Sequence, residues 1–456
     1  MLGATPAQCD KAEKSSMAAK IKAIKCGTLI DGNGGKTVKN AVILIKDKRI
    51  SAVGPGKDIK IPKNAEIINC SKYTAMPGMM DLHIHLCMFN NITFKNYRVA
   101  QWEVTKQLQQ MYMLFHGQMC LDRGFTTLRD LGFMSGYGLM TDQSCAVRDS
   151  IDAGIFAGPR IISAAFTVGT GSHLDLINPR SARRDPLATA DGPDEMRKLA
   201  RRNLLAGVDW LKTCASGGGG TDKEEPDIRN HTPEELRVTC EEAHMQHKHC
   251  AIHCFTPEAQ LIAMEAGADT LEHMVFNGDE AVDKIVETQI PITPTLAHRT
   301  DHAIDIRRDI GTPQFTLDKM KQIQPSCFES FQRYYKEGAF IAMGTDMGFE
   351  PTMGSNAYEL EIYCELGMKP MDAIMTATKN AAKALHLDHE IGTLEKGKLA
   401  DIVICQGDPS KNIKTLGPRE NIKMVLKEGY VYVDRRPGKD VRVIQDEYGS
   451  WRKIDA

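Results

Sequence analysis

The order of short buried strands and helices constrains the fold of this 456-residue chain most strongly. Between residues 78 and 385, apolar β-branched segments each lead into a polar or glycine-rich loop and then into a helical pattern. This alternation is typical of parallel strands joined by helical crossovers. Eight such units predict an α/β fold of the (β/α)8 TIM-barrel type. The segments are GMMDLHIHL, FTTLRDLG, RIISAAFTV, VDWLKTCAS, CAIHCF, TLEHMV, PITPTL and FIAMGTD.

The helix after the fourth strand has clear boundaries in the sequence. Thr232 is the predicted N-cap, Pro233 occupies the first helical position, and Glu235 completes a capping box. The apolar residues that follow fall on one helix face, namely Leu236, Cys240 and Ala243. A helix is therefore predicted where a barrel needs one, between its fourth and fifth strands.

The segments before and after the barrel have a different residue pattern, in which short runs that favour β-strands are separated by turn signals. Such runs include AVILIKDKRISAVG in the first flank and GTLEKGKLADIVIC in the second. We predict that residues 21–77 and 386–456 form one small composite β-sandwich domain beside the barrel at 78–385. Residues 1–20 are polar and lack the apolar core of a signal peptide, so we expect a disordered tail.

The net charge and the cysteine content limit which classes of binding partner and which cellular compartment are expected. The formal net charge is -2, which gives no reason to expect nucleic acid or an anionic membrane as a partner. No apolar run is long enough to span a bilayer. The 13 cysteines lack paired metal-ribbon spacings and suit free thiols in a reducing compartment. We therefore expect a cytoplasmic protein that acts on a small molecule.

The segment Asp-Leu-His-Ile-His at the end of the first predicted strand is the strongest chemical signal. Residues two apart on a strand point to the same face, so His83 and His85 converge. Two neutral imidazoles on one face are a ready pair of ligands for zinc. The alternative is a solvent-facing polar side of the strand, which the preceding apolar residues and the barrel context oppose.

Three more strands end in residues that can bind a metal. His253 and His273 end the fifth and sixth predicted strands, and Asp346 ends the eighth. The carboxyl ends of barrel strands are where catalytic groups converge. A buried aspartate is costly unless a partner such as a metal keeps it ionised. The alternatives are core histidines with ordinary hydrogen bonds and, for Asp346, an N-cap of the next helix.

Lys212, in the fourth predicted strand, does not fit such a cluster as an ordinary ammonium, because metal ions would repel it. The amine becomes suitable if it reacts with carbon dioxide to give a carbamate, an anion whose two oxygens can bridge two metals. The alternative is a lysine that reaches solvent past the strand end. The residues alone leave both possibilities open.

Together these residues resemble the binuclear amidohydrolase superfamily. That family has a His-x-His pair on the first strand, a lysine on the fourth, histidines on the fifth and sixth and an aspartate on the eighth. The motifs GFTTLRD, AGPRIISAA, ADTLEHMVF, TATKNAAKAL and GTLEKGKLADIVI also look like the family. The likeness extends from Ile21 to Asp434. It is greatest to the imidazolonepropionase-like branch, which includes Xaa-Pro and Xaa-Arg/Lys dipeptidases and an ochratoxin-hydrolysing amidohydrolase.

The resemblance implies a role for each position. One metal would be held by His83, His85 and Asp346, and a more exposed one by His253 and His273, with carboxylated Lys212 and a hydroxide between them. The metals would be divalent, with zinc expected. His173, in TVGTGSHLDL, would polarise the substrate carbonyl, although relatives often have a GHG-like turn where this chain has GSH. Asp346 would accept the proton of the hydroxide and pass it to the leaving nitrogen.

The expected reaction is hydrolysis of a dipeptide or an N-acyl amino acid, including ochratoxin-type amides. Arg229 and His173 are candidates to meet the substrate carboxylate. The run Gly217–Gly220 is expected to be a loop over the site mouth, since it lacks the Lys-Ser/Thr of a phosphate loop. By the resemblance we also expect a homo-oligomer. The alternatives are a hydrolytic deaminase or cyclic-amide hydrolase, whose relatives usually lack the bridging lysine, and a non-enzymatic scaffold that has lost its ligands.

Overall fold

The computed structural model describes residues 20–87, 104–132, 134–135, 138–176, 189–220, 222–349 and 351–444. Residues 1–19 of the expected tail lie outside the described residues. In these ranges no helix combines the length and the apolar character that crossing a membrane requires. The cysteines of the same ranges are all free thiols.

The strands and helices are numbered here in chain order. The strands are β1 (Ile21–Leu29), β2 (Val38–Lys46), β3 (Arg49–Pro55), β4 (Glu66–Pro77), β5 (Met79–Ile84), β6 (Phe125–Asp130), β7 (Met134–Ser135), β8 (Gly138–Leu139), β9 (Arg160–Phe166), β10 (Trp210–Cys214), β11 (His249–Cys254), β12 (Thr270–His273), β13 (Ile292–Thr293), β14 (Ile402–Cys405), β15 (Ile422–Lys427) and β16 (Tyr430–Asp434). The α-helices are α1 (Lys106–Asp122), α2 (Thr141–Asp152), α3 (His173–Leu176), α4 (Gly192–Leu205), α5 (Pro233–Met245), α6 (Pro257–Glu265), α7 (Asp279–Thr288), α8 (Asp301–Asp309), α9 (Gln314–Glu337), α10 (Tyr358–Glu365), α11 (Pro370–Thr376) and α12 (Lys379–Ala384).

The central sheet is parallel and has the strand order β13-β12-β11-β10-β9-β6-β5. The eighth predicted segment closes it into a barrel without forming a regular strand. Ala342 N donates to Ile292 O at 2.9 Å on one side, and Leu82 N donates to Met343 O at 2.9 Å on the other. The predicted (β/α)8 barrel is thus confirmed, and its eighth strand is reduced to isolated bridges.

The flanks of the chain form a separate mixed sheet with the order β16-β15-β14-β4-β1-β2-β3. Strand β4 joins the two halves, since it pairs in parallel with β1 and antiparallel with β14. Apolar residues from both ends of the chain pack in one core on this sheet, among them Ile24, Ile43 and Ile404. A single residue separates β4 from β5, so the flanking sheet directly anchors the strand that carries the first predicted ligands.

Helix α5 has the predicted boundaries. Thr232 Oγ1 accepts a hydrogen bond from Glu235 N at 3.3 Å, and Glu235 Oε2 accepts one from Thr232 N at 2.7 Å. The capping box is therefore confirmed. The predicted apolar face is buried, with Leu236, Cys240 and Ala243 all at most 1% exposed.

Candidate active site

The residues predicted to bind metal meet at the carboxyl ends of the barrel strands, where they line one open cavity. They are His83, His85, Lys212, His253, His273 and Asp346. His173 lines the same cavity. Strand order alone does not bring these positions together; the closure of the sheet into a barrel does.

Asp346 and the two histidines of the first strand form the tightest group. Asp346 Oδ1 lies 3.2 Å from His85 Nε2 and 3.6 Å from His83 Nε2. One ligand atom from each of the three residues lies within 4.8 Å of the others. Burial alone would raise the pKa of Asp346, but His298 and His85 hold it well below its ordinary value. The site therefore contains an ionised carboxylate beside two imidazoles, a donor set suited to a divalent cation.

In each of the four predicted histidine ligands, one ring nitrogen is hydrogen-bonded to a protein group. The contacts are His83 Nδ1 with Glu272 Oε2 (2.7 Å), His85 Nδ1 with the Gly132 carbonyl (2.6 Å), His253 Nε2 with the Gly217 carbonyl (2.9 Å) and His273 Nδ1 with Thr295 Oγ1 (2.7 Å). Such contacts set the ring orientation and the tautomer of metal-binding histidines. Burial and nearby Lys212 lower the pKa of His83 to about 4, and burial lowers the pKa values of His253 and His273 well below their ordinary value. Neutral imidazole is the form that binds a metal.

Glu272 and Arg129 support this arrangement from inside the barrel, and the sequence interpretation missed both. Arg129 Nη2 donates to Glu272 Oε1 at 2.7 Å, and Arg129 Nε donates to the Leu82 carbonyl at 2.6 Å. Burial favours a neutral Glu272, but Arg129 and His83 outweigh it and lower its pKa. The signal available in the sequence was a charged residue inside each of two strand segments, Arg129 in FTTLRDLG and Glu272 in TLEHMV.

Left-handed backbone conformations occur at three positions of the site. The φ angles are 78° at His273, 56° at Thr295 and 58° at Asp346. A positive φ is uncommon for residues other than glycine and is a clear outlier for β-branched threonine. Glu272 and His253 are register partners, so strict alternation would point His273 away from them. The left-handed turn at His273 instead places its ring 4.6 Å from that of His253.

Lys212 lies in the middle of β10 and does not reach solvent. The residue is 2% exposed, and its Nζ has no hydrogen-bond partner among the described residues. Burial lowers the pKa of Lys212. A lysine that reaches solvent past the strand end, the alternative interpretation of the sequence, is therefore wrong. A buried amine without a partner requires either a chemical modification or a bound group to satisfy it.

His173 begins the short helix α3 and reaches the cavity from the loop after β9. Its Nδ1 lies 2.5 Å from Glu224 Oε1, and its ring stacks on that of His253 with centroids 4.5 Å apart. Gly218 N also donates to Glu224 Oε1, at 2.6 Å. A Cβ atom at Gly218 would lie only 2.4 Å from His173 Cε1, so this close approach requires glycine. Gly219 and Gly220 line the cavity beside it.

Of the two candidates for carboxylate binding, His173 lines the cavity and Arg229 does not. Arg229 is exposed and does not line the cavity, so that candidate for carboxylate binding is not supported by its position. Arg299, Arg307 and His298 line it instead. His298 Nε2 lies 3.9 Å from Asp346 Oδ2.

The apolar residues that follow Asp346 in the sequence are divided between different environments. Phe349 lines the cavity with the predicted ligands. Met347 and Tyr358 line a neighbouring cavity that shares His298, and Met353 is 2% exposed in the core.

Comparisons with known proteins agree with this geometry. A family model described as the amidohydrolase family matches residues 74–431. The chain is 29% identical over 440 residues to ochratoxinase of Aspergillus niger, covering 91% of this chain and 87% of that protein. It is 22% identical over 400 residues to imidazolonepropionase of Geobacillus sp. (strain WCH70), covering 80% and 84%. A solved structure of a Xaa-Pro dipeptidase with methionine bound in the active site has a TM-score of 0.82 and 29% identity, covering 91% of this chain and all of that one.

Proposed function

Because the chain belongs to the amidohydrolase family and is a hydrolase of amide bonds, we propose that it cleaves dipeptides or N-acyl amino acids at a centre of two zinc ions. The observation that carries the proposal is the convergence of four oriented histidines, one ionised aspartate and one buried lysine on a single cavity. The lysine Nζ has no hydrogen-bond partner within the part of the chain that the structure describes. The similarity to a dipeptidase with a bound amino acid supports the substrate class.

We assign these donor atoms to two metal ions. His83, His85 and Asp346 form one group. His253 and His273 are assigned to the second; their ring centroids are 4.6 Å apart, and the His273 ring lies equally close to that of His83. Lys212 lies in the same cavity as both groups. When bound, two divalent ions would lower the pKa of a water molecule and polarise the scissile carbonyl.

Carboxylation of Lys212 would satisfy its buried nitrogen and link the two groups. The neutral amine attacks carbon dioxide, an N–C bond forms, and one proton leaves the nitrogen to give an N6-carboxylysine anion. The low dielectric around Lys212 favours the neutral amine that this reaction needs. The same residue argues against the rival assignment as a hydrolytic deaminase or cyclic-amide hydrolase, whose relatives usually lack it.

Two side chains are proposed to transfer a proton or to stabilise charge during hydrolysis. An Asp346 carboxylate oxygen can accept the proton of the attacking water and return it to the leaving nitrogen. Glu224 accepts a hydrogen bond from His173 Nδ1. This contact fixes the orientation of the His173 ring, which is proposed to polarise the substrate carbonyl as negative charge develops on its oxygen.

Metal content tests the two-metal proposal directly. We expect about two zinc ions per chain in the active protein, and we expect a chelator to abolish turnover until zinc is restored. The measurement is elemental analysis and activity on the same sample. Full activity with one ion per chain would contradict the proposal and favour the deaminase-like alternative.

A matched pair of substrates tests the substrate class. We expect kcat/KM for an N-acyl amino acid to exceed that for its C-terminal amide by more than about tenfold, because a charge-assisted hydrogen bond contributes about 1.5–3 kcal/mol. Both compounds contain the same scissile bond, so only the carboxylate differs. Equal rates on the two, or activity confined to cyclic imides or aminopurines, would contradict the proposed class.

A further inference from the structure

Arg299 is a buried cation beside the candidate metal centre. It is 5% exposed, lines the cavity, and lies in the 3-10 turn Ala297–Arg299 that follows β13. Its guanidinium carbon is 5.4 Å from the centroid of the Phe255 ring. That ring lies 4.5 Å from the ring of His253 and 5.5 Å from the ring of His273. One aromatic ring therefore separates the guanidinium from the histidines of the second metal group.

Other buried side chains fix the turn that presents Arg299. Glu359 accepts hydrogen bonds from Leu296 N at 2.7 Å and from Ala297 N at 2.5 Å. Gln324 Nε2 donates to the Arg299 carbonyl at 2.7 Å. The backbone is thus held from two directions, and the position of the guanidinium depends on elements outside the turn. Such support is typical of a built binding group rather than of a mobile surface arginine.

Among the described residues, the Arg299 guanidinium forms no ion pair and donates no side-chain hydrogen bond. The buried Arg129 guanidinium, in contrast, pairs with Glu272 at 2.7 Å. Arg307, the other arginine of the cavity, contacts His298, with Nη2 3.0 Å from Nε2. A buried guanidinium without an anion is costly, because its lost hydration is not replaced. The charge of Arg299 is therefore available for an anion that enters the cavity.

We infer that Arg299 binds the free carboxylate of the substrate. The inference rests on the proposed function and names the residue that reads the carboxylate. In a dipeptide or N-acyl amino acid, one Cα separates the carboxylate from the scissile nitrogen, so an amide at the metal centre places the carboxylate nearby. Guanidinium groups match carboxylates with two parallel hydrogen bonds. Phe255 keeps the group in place through its ring face.

The test compares Arg299→Gln with a matched control, Arg308→Gln. Arg308 lies on α8, and its side chain is 55% exposed and paired with Asp305. For Arg299→Gln we expect kcat/KM on an N-acyl amino acid to fall about ten- to a hundredfold, mainly through KM. The rate on the matched C-terminal amide should change less than about threefold, so the preference for the carboxylate disappears. Arg299→Lys should keep part of that preference, and the control should keep all of it.

Equal losses on both substrates, or an unchanged preference, would overturn the inference and leave Arg299 a structural residue. A binding measurement separates this result from failure of the proposed function. Calorimetric titration of the metal-loaded protein uses L-phenylalanine and L-phenylalaninamide as probes and needs no turnover. We expect Arg299→Gln to weaken binding of the acid at least about tenfold and to leave the amide unchanged. If the acid binds the variant and the wild type equally well, the inference is wrong even where amide hydrolysis is observed.

Discussion

Replacing Lys212 with alanine is expected to lower turnover by about three orders of magnitude or more and to reduce the bound metal. Lys212 is buried in the same cavity as both sets of histidines, and its Nζ has no hydrogen-bond partner among the described residues. It is proposed to carry the anion that links both metals. Losing several kcal/mol of transition-state stabilisation corresponds to a rate loss of roughly this size. The measurements are kcat, zinc content and the circular dichroism spectrum of the variant.

Chemical rescue makes this prediction specific to a carboxylate. Propionate or a similar short acid fits the space that the lysine leaves, and we expect it to restore part of the activity and of the metal content. Lys248→Ala is the control, because Lys248 immediately precedes β11 at the opposite end of the strand from His253 and pairs with Asp209. It should retain activity and show no response to the acid. Wild-type zinc content and turnover in Lys212→Ala would remove the carbamate from the mechanism.

The barrel and the predicted ligands could be inferred from the sequence because their signals are local. A strand repeats every two residues, so His83 and His85 share a face whatever surrounds them. The ends of apolar segments mark where strands leave the barrel, and His253, His273 and Asp346 stand at those ends. The order of the segments then implies that the ends meet.

The backbone at these strand ends could not be predicted from the same signals. His273 and Asp346 have φ angles of 78° and 58°, which break the alternation that the sequence argument used. Residue 341 bridges to 292 and residue 347 to 84, yet the segment between them has no regular strand. Local strain of this kind is stabilised by the surrounding contacts, which become visible only in three dimensions.

The charged residues behind the ligands depend even more on distant contacts. Glu272 and Arg129 are 143 positions apart in the sequence. They meet only because both side chains point into the barrel interior. Arg299 follows a strand of two residues, and its neighbours give no sign that it is buried. Arg229 stands in a similar polar segment and is exposed. Residue type therefore suggested an arginine for the carboxylate, but only packing distinguishes the buried Arg299 from the exposed Arg229.

Replacing Asp346 with asparagine is expected to separate metal binding from proton transfer. Asparagine keeps one oxygen that can contact a metal, but its amide cannot accept the proton of the attacking water. General acid–base catalysis contributes about 100- to 10,000-fold to a rate, so kcat should fall within this range. Zinc content should fall much less, because His83 and His85 remain. The measurement is kcat and zinc per chain on the same preparation.

The pH dependence gives a second test of Asp346. His298 and His85 hold the pKa of its carboxyl well below the ordinary value, so the ionised base persists when the wild type is assayed at acidic pH. A carboxyl group with a raised pKa would be protonated at acidic pH and could not accept a proton. Asp346 stays ionised there because its pKa is lowered. Asp305→Asn is the control, since this exposed aspartate pairs with Arg308 on the protein surface and should leave the profile unchanged. Equal kcat in Asp346→Asn and the wild type would exclude Asp346 as the proton carrier, because no amide nitrogen or oxygen can replace a carboxylate in that role.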